Sequence, residues 1–252
     1  GINLEDISAP RCFEVERRLK ELLDIPVVHD DQHGTAVVVL AGLINALKVV
    51  GKKLNEIKIV VNGAGAAGLA VADLLLDAGV TQLKIADSKG ILYDDGKRFG
   101  FKLVMAKRTN PENAIMEMKT ALADADVFIG VSQPNLINAD DVKTMAKNPI
   151  VFAMANPDPE ILPDEALRGG ASVVATGRSD FPNQVNNALA FPGLFLGVME
   201  ARFPHFEKAM YLAAAHALAE MVATPTKDKI LPTLFSPNVA RTVADAVKNS
   251  KK

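Results

Sequence analysis

From Arg11 to Leu23 the chain reads RCFEVERRLKELL, with Phe13, Leu19, Leu22 and Leu23 at helical spacings among charges, the pattern of an amphipathic helix. Ile25 to Val28 form a short apolar run that predicts a strand. Thr35 to Val50 are apolar on most faces, which predicts a buried helix ended by Gly51. The period then shortens. IKIVV at 57–61, QLKIA at 82–86, DVFIGV at 126–131, IVFAM at 150–154 and SVVA at 172–175 are brief apolar runs that predict buried strands. Helices are predicted between them at 66–78, 112–123 and 138–146, and the stretch from Phe203 to Val222 is helical throughout. Strands alternating with helices predict an α/β fold: a doubly wound, mostly parallel, Rossmann-like sheet with flanking helices at both ends. The chain divides into an edge segment of helix, strand and buried helix (1–50), a nucleotide-binding body (51–200) and C-terminal helices (201–252).

The strand IKIVVN runs into Gly63-Ala64-Gly65-Ala66-Ala67-Gly68 and then directly into LAVADLLLDAG. In this setting GxGxxG has a physical role at each glycine: a tight turn, close backbone approach to a pyrophosphate, and packing of helix on strand. The anion rests on the free amides of the helix N-terminus. Asp87 closes the next strand, about 20 residues on, where a carboxylate meets ribose hydroxyls; it would repel a 2′-phosphate, which favours NAD over NADP, with Lys89 a partial offset. The candidate cofactor contacts are Gly63, Gly65, Ala66, Ala67, Gly68, Asp87 and, in a later loop, Asn186.

The remaining chemistry lies in carboxylates. VVHDDQHGTA places Asp30 beside Asp31 just before the apolar helix, and Glu5 and Asp6 open the chain. Adjacent carboxylates repel, so such a pair is solvated, caps the helix, or faces a cation, and an all-oxygen set suits Mg2+ or Mn2+. His29 and His33 read as structural histidines. Two polar loops, Ala155-Asn156-Pro157-Asp158-Pro159 and Arg178 to Asn187, fall beyond strand ends, where open α/β sheets bind ligands.

With 252 residues, 49% hydrophobic and 23% charged, the chain can bury a large core. A net charge of -2 gives no electrostatic reason to expect nucleic acid, and the Lys-rich end KNSKK reads as a solvated tail. The longest apolar run, Ala36 to Ile44, is short for a membrane span, and one cysteine, Cys12, suits a reducing, cytoplasmic setting. The chain opens without Met and reads as a piece of a longer protein.

Taken together and in order, EDI, HDDQHGTA, NGAGAAG, FIGVS, ANPDPEI, ATGRSDFPNQVNN and FPGLF resemble the bacterial small-subunit malic enzymes, malate oxidoreductases that decarboxylate. The resemblance implies a Mg2+ or Mn2+ site of Glu5, Asp6 and Asp31, with Asp30 supporting a catalytic lysine and Asn156 and Asn187 holding malate. It implies conversion of malate to pyruvate and carbon dioxide with reduction of NAD, and a homodimer. The family's tyrosine acid and lysine base lie upstream of EDI, so neither Tyr93 nor Tyr211 is assigned the acid role. The rival readings are an amino-acid-dehydrogenase-like NAD enzyme and a non-catalytic NAD-binding regulatory module.

Overall fold

The computed structural model describes residues 1–97 and 100–250; Lys251 and Lys252 of the KNSKK end lie outside the described residues. Five parallel strands build the main sheet: β3 (Lys58–Asn62), β4 (Gln82–Asp87), β6 (Val127–Gly130), β7 (Ile150–Ala153) and β8 (Val173–Thr176). A short antiparallel β5 (Gly90–Ile91) extends one edge, giving the order β5-β4-β3-β6-β7-β8. Chain order reverses direction between β3 and β6, and a crevice opens there beyond the carboxyl ends. The predicted sheet is therefore present, each of its five predicted strands within two residues of its expected bounds.

Both faces of the sheet are covered, which is why its strands read as continuous apolar runs. Ile59, Val61, Ile129 and Phe152 face the core shared with α2 (Asp30–Val50), α3 (Ala66–Asp77) and α9 (Lys208–Glu220). Val60, Phe128, Val151 and Val174 alternate with them and face α5 (Met118–Leu122), α6 (Ala139–Lys143) and α7 (Pro163–Arg168). By length and composition α2 could cross a membrane; here Val37 to Leu40 and Leu43 are buried in the core shared with α3 and α9. Gly51 ends it with φ 69°, the left-handed cap that its glycine predicts.

Several helices depart from the sequence expectation. α2 begins at Asp30 rather than Thr35, so the acidic pair is its first turn, not the end of a strand. The helix predicted at 112–123 shrinks to α5, because Asn110 binds the carbonyls of Leu92 and Ala114 and the preceding segment stays a loop. α4 (Gly100–Thr109), α8 (Phe191–Ala201) and α10 (Val239–Asn249) were not predicted individually. In α8, Gly193 and Gly197 read as breakers but let the helix lie directly on Val243, Ala244 and Val247 of α10. The KNS of the C-terminal tail belongs to α10 and its cap, and Lys248 pairs with Glu200 at 2.9 Å.

Candidate dinucleotide and carboxylate site

The cleft at the sheet's switch point has a volume of about 1310 Å³ and is lined by Gly63, Gly65, Asp87, Lys102, Ser132 and, from the N-terminal segment, Phe13. Each glycine has its own spatial reason. A Cβ on Gly63, at φ 122°, would meet the Val131 carbonyl at 2.6 Å, and one on Gly68 would collide with the Gly63 carbonyl. A Cβ on Gly65 would meet nothing within 4 Å, because it faces the open cleft. Ala66 and Ala67 start α3, whose N-terminus carries no side-chain cap, so its first amides remain for an anion.

Asp87 ends β4 facing this cleft. Its Oδ1 accepts the Lys89 backbone N–H at 2.9 Å and its Oδ2 accepts from Lys102 Nζ at 3.1 Å. The positive partner that sequence reasoning sought in Lys89 is thus supplied by the Lys102 side chain of α4. That helix lacks a clear apolar face, so nothing in the pattern pointed to it.

The carboxylates are assembled by a second, two-stranded parallel ribbon. β1 (Ile2–Leu4) pairs with β2 (Val27–His29) with Leu4 opposite His29, so the strands deliver Glu5-Asp6 and Asp30-Asp31 side by side. Asp6 turns at φ 56° and donates its backbone N–H to Asp31 Oδ2 at 2.8 Å. Asp30 is 5% exposed, and its Oδ2 accepts from Asn187 Nδ2 at 2.7 Å, across 157 positions of sequence. Burial first, then the negative charges of Glu5 and Asp31, push the Asp30 carboxyl up to about 6 against the pull of Asn187. Gly34 has its reason here: a Cβ would strike Asp30 Oδ1 and come within 3.2 Å of Asn187 Cβ.

Negative groups gathered this closely, with only oxygen donors, have the chemistry of a hard-cation site. Among the described residues no three acidic, imidazole or thiol side chains converge as a ready-made ligand set. Nor, among the described residues, does a lysine or arginine pair with Glu5, Asp6, Asp30 or Asp31. The first turn of α2 does place both aspartates at the positive end of the helix dipole. Asn156 is exposed beyond β7, and Asn186 uses its Oδ1 to accept the Ala188 N–H at 2.9 Å, capping the 3-10 turn Asn187–Leu189. Neither asparagine, nor any of the four acidic residues, lines the large cleft.

Glu160 was not singled out in the sequence. Fully buried, it accepts the Ser132 N–H at 2.9 Å and the Ala155 N–H at 3.0 Å, tying together the loops that leave β6 and β7. An acid inside PEIL was the available signal.

A buried polar cluster lies behind the carboxylates. Glu16, in α1 (Arg11–Leu22), receives His33 Nε2 at 2.9 Å and Lys20 Nζ at 2.7 Å. Burial alone would raise its carboxyl, but the His33 hydrogen bond and the charges of His33 and Lys20 outweigh it and hold it at about 2. A folded-state pKa below the ordinary 4.5 contributes stability above that value, lost as pH falls toward 2. The contribution is about 3 kcal/mol for a group this enclosed. Urea unfolding from pH 6 to pH 2 should show that loss, and Glu16→Gln should flatten it; an equally steep acid limb in the variant would assign it elsewhere.

A family model described as malic enzyme, NAD binding domain, matches residues 32–251. The bifunctional malic/malolactic enzyme of Bacillus subtilis (strain 168) is 52% identical over 98% of this chain and 61% of its own length. A probable NADP-dependent malic enzyme of Rickettsia prowazekii (strain Madrid E) is 43% identical over 98% of this chain and 34% of its own. The crystal structure of an NAD-dependent malic enzyme from Thermotoga maritima matches with a TM-score of 0.94 at 48% identity, covering 99% of this chain and 66% of that one. The chain spans between about a third and two thirds of the length of these relatives.

Proposed function

The chain belongs to the malic enzyme family, within which it forms the NAD-binding domain, and from that premise we propose that it serves the oxidative decarboxylation of malate to pyruvate and carbon dioxide with reduction of a nicotinamide dinucleotide. The observation that carries this reading is the meeting of Asp30 with Asn187 beside the strand-paired Glu5-Asp6 and Asp31, in a chain whose sheet opens a dinucleotide cleft. The dinucleotide supplies the hydride acceptor. The amides of Ala66 and Ala67 and the space beside Gly65 take its pyrophosphate, and Asp87 accepts from ribose hydroxyls. Asn156 and Asn187 hold the polar groups of malate, and Asp30 holds a cationic side chain that lies outside these residues. Glu5, Asp6 and Asp31 are the oxygen donors for Mg2+ or Mn2+, which supplies the positive charge that polarises a carbonyl. We propose a cytoplasmic homodimer, a setting that the unpaired, buried Cys12 suits.

Malate-dependent, Mn2+-dependent formation of reduced dinucleotide by the protein is the test, and oxidation of an amino acid in its place would overturn the reading. For the cofactor we propose NAD over NADP. Asp87 meets a 2′-phosphate with like charge, and Lys102, about two-fifths exposed, offsets it only in part. Calorimetric titration should give about tenfold tighter NAD, equivalent to about 1.4 kcal/mol. Equal or tighter NADP binding would show that the lysines govern the pocket.

A further inference from the structure

Gln32 sits in the first turn of α2, within HDDQH, 5% exposed, with one amide nitrogen serving two acceptors. Its Nε2 lies 3.1 Å from Glu16 Oε2 and 2.8 Å from His29 Nδ1. Which way the amide points is settled by charge: reversed, its oxygen would face the Glu16 carboxylate. Because Gln32 donates to Nδ1, that nitrogen carries no proton, and the His29 proton is on Nε2. The His29 ring is completely buried, and its Nε2 has no hydrogen-bond partner. Yet Nε2 stands 3.1 Å from Asp31 Oδ2, near enough for a bond and lacking only alignment.

Asp31 Oδ2 already accepts the Asp6 N–H at 2.8 Å, and it is the same oxygen that stands 3.1 Å from His29 Nε2. Among the described residues none donates to Oδ1. With the His29 N–H aligned as a second donor on Oδ2, Oδ1 would be left to a monodentate contact with a cation. Orphaned buried donors are costly and rare, and the one here lies beside a carboxylate proposed above as a metal ligand.

We propose that Glu16, Gln32 and His29 form a relay of positioning residues for the metal-binding carboxylate: Glu16 fixes the Gln32 amide, Gln32 fixes the His29 tautomer, and His29 Nε2–H orients Asp31 with Oδ1 free for a hard divalent cation. The inference rests on the metal reading of Asp31 given above. It extends that reading to a residue of α1, 15 positions from Asp31 in sequence and contacting it only through two intermediaries.

The test is Mn2+ titration of the purified chain by water-proton relaxation, with NAD affinity and thermal midpoint measured alongside. His29→Gln keeps an N–H donor near the position of Nε2, whereas His29→Asn retains one only near Nδ1. His29→Asn should weaken Mn2+ about 10- to 100-fold, His29→Gln by no more than about threefold, with NAD affinity unchanged in both. Glu16→Gln should weaken Mn2+ by several-fold and blur the single tautomer that imidazole 15N spectra of the unsubstituted chain should show. Should Asn and Gln at position 29 lose affinity equally, or neither lose it, the relay is overturned while the metal reading stands. Asp31→Asn separates the two: unchanged Mn2+ affinity in that variant would remove the metal reading and the relay with it.

Discussion

Alanine at Gly65 is expected to leave the fold intact and to weaken NAD binding about 10- to 100-fold. The added methyl meets no protein atom within 4 Å, so the thermal midpoint should hold. It occupies the space through which the backbone approaches a pyrophosphate, and losing one hydrogen bond to a charged group costs about 1.5–3 kcal/mol. Alanine at Gly68 should behave differently, because its methyl collides with the Gly63 carbonyl inside the protein. There, strand and helix must separate, so stability falls by about 1–3 kcal/mol along with NAD binding. Calorimetry and thermal unfolding on the two variants distinguish the cases. A Gly65→Ala protein that binds NAD normally would mean that the pyrophosphate does not rest on this turn.

That turn was legible because everything it needs is local: strand, three glycines and helix follow one another within about 20 residues. The same holds for the five sheet strands and for Gly51, whose chemistry marks the end of α2. The start of α2 was not legible, since Gly34 reads as a helix breaker. Its real reason is tertiary, the room it leaves for Asp30 and Asn187. The glycines of α8 likewise have a tertiary purpose, contact with α10. The acidic pairs were visible as residues, and the run before Asp30 reads as a strand, but their meeting depends on β1 pairing in parallel with it, and nothing local in Ile2–Leu4 announces that strand. The resemblance named Asp30 and Asn187 for separate tasks; their 2.7 Å contact is a product of the fold. Lys102 and Glu160 escaped notice because a lysine on a weakly patterned helix and an acid in a turn look like solvated surface until their burial and partners are known.

The second large effect concerns proton transfer. Purified as these 252 residues alone, the protein should bind NAD and fail to turn malate over. The cleft is lined by loops at the sheet's carboxyl end and by residues of α4 and α5, with Ala9, Pro10, Phe13 and Glu14 closing one side, so this chain supplies the walls of a cofactor site. Hydride removal from malate also requires a base at the hydroxyl, and the enol product requires an acid. Tyr211 cannot be that acid: it is 6% exposed, its ring is stacked on His33 with centroids 4.7 Å apart, and burial raises its hydroxyl well above the ordinary range. Asp30 has its carboxyl beside Asn187 but no lysine to hold among the described residues. A positioned acid or base is commonly worth about 10²- to 10⁴-fold, and a malate site served by neither loses both factors. Water reaching an open carboxylate corner would further weaken whatever field a bound cation exerts there. NADH formation from malate, Mn2+ and NAD should therefore stay at background for this chain while calorimetry still records NAD binding. Robust malate-dependent turnover would place the acid and base among residues 1–252 and direct attention to Tyr93 and to the lysines that rim the cleft.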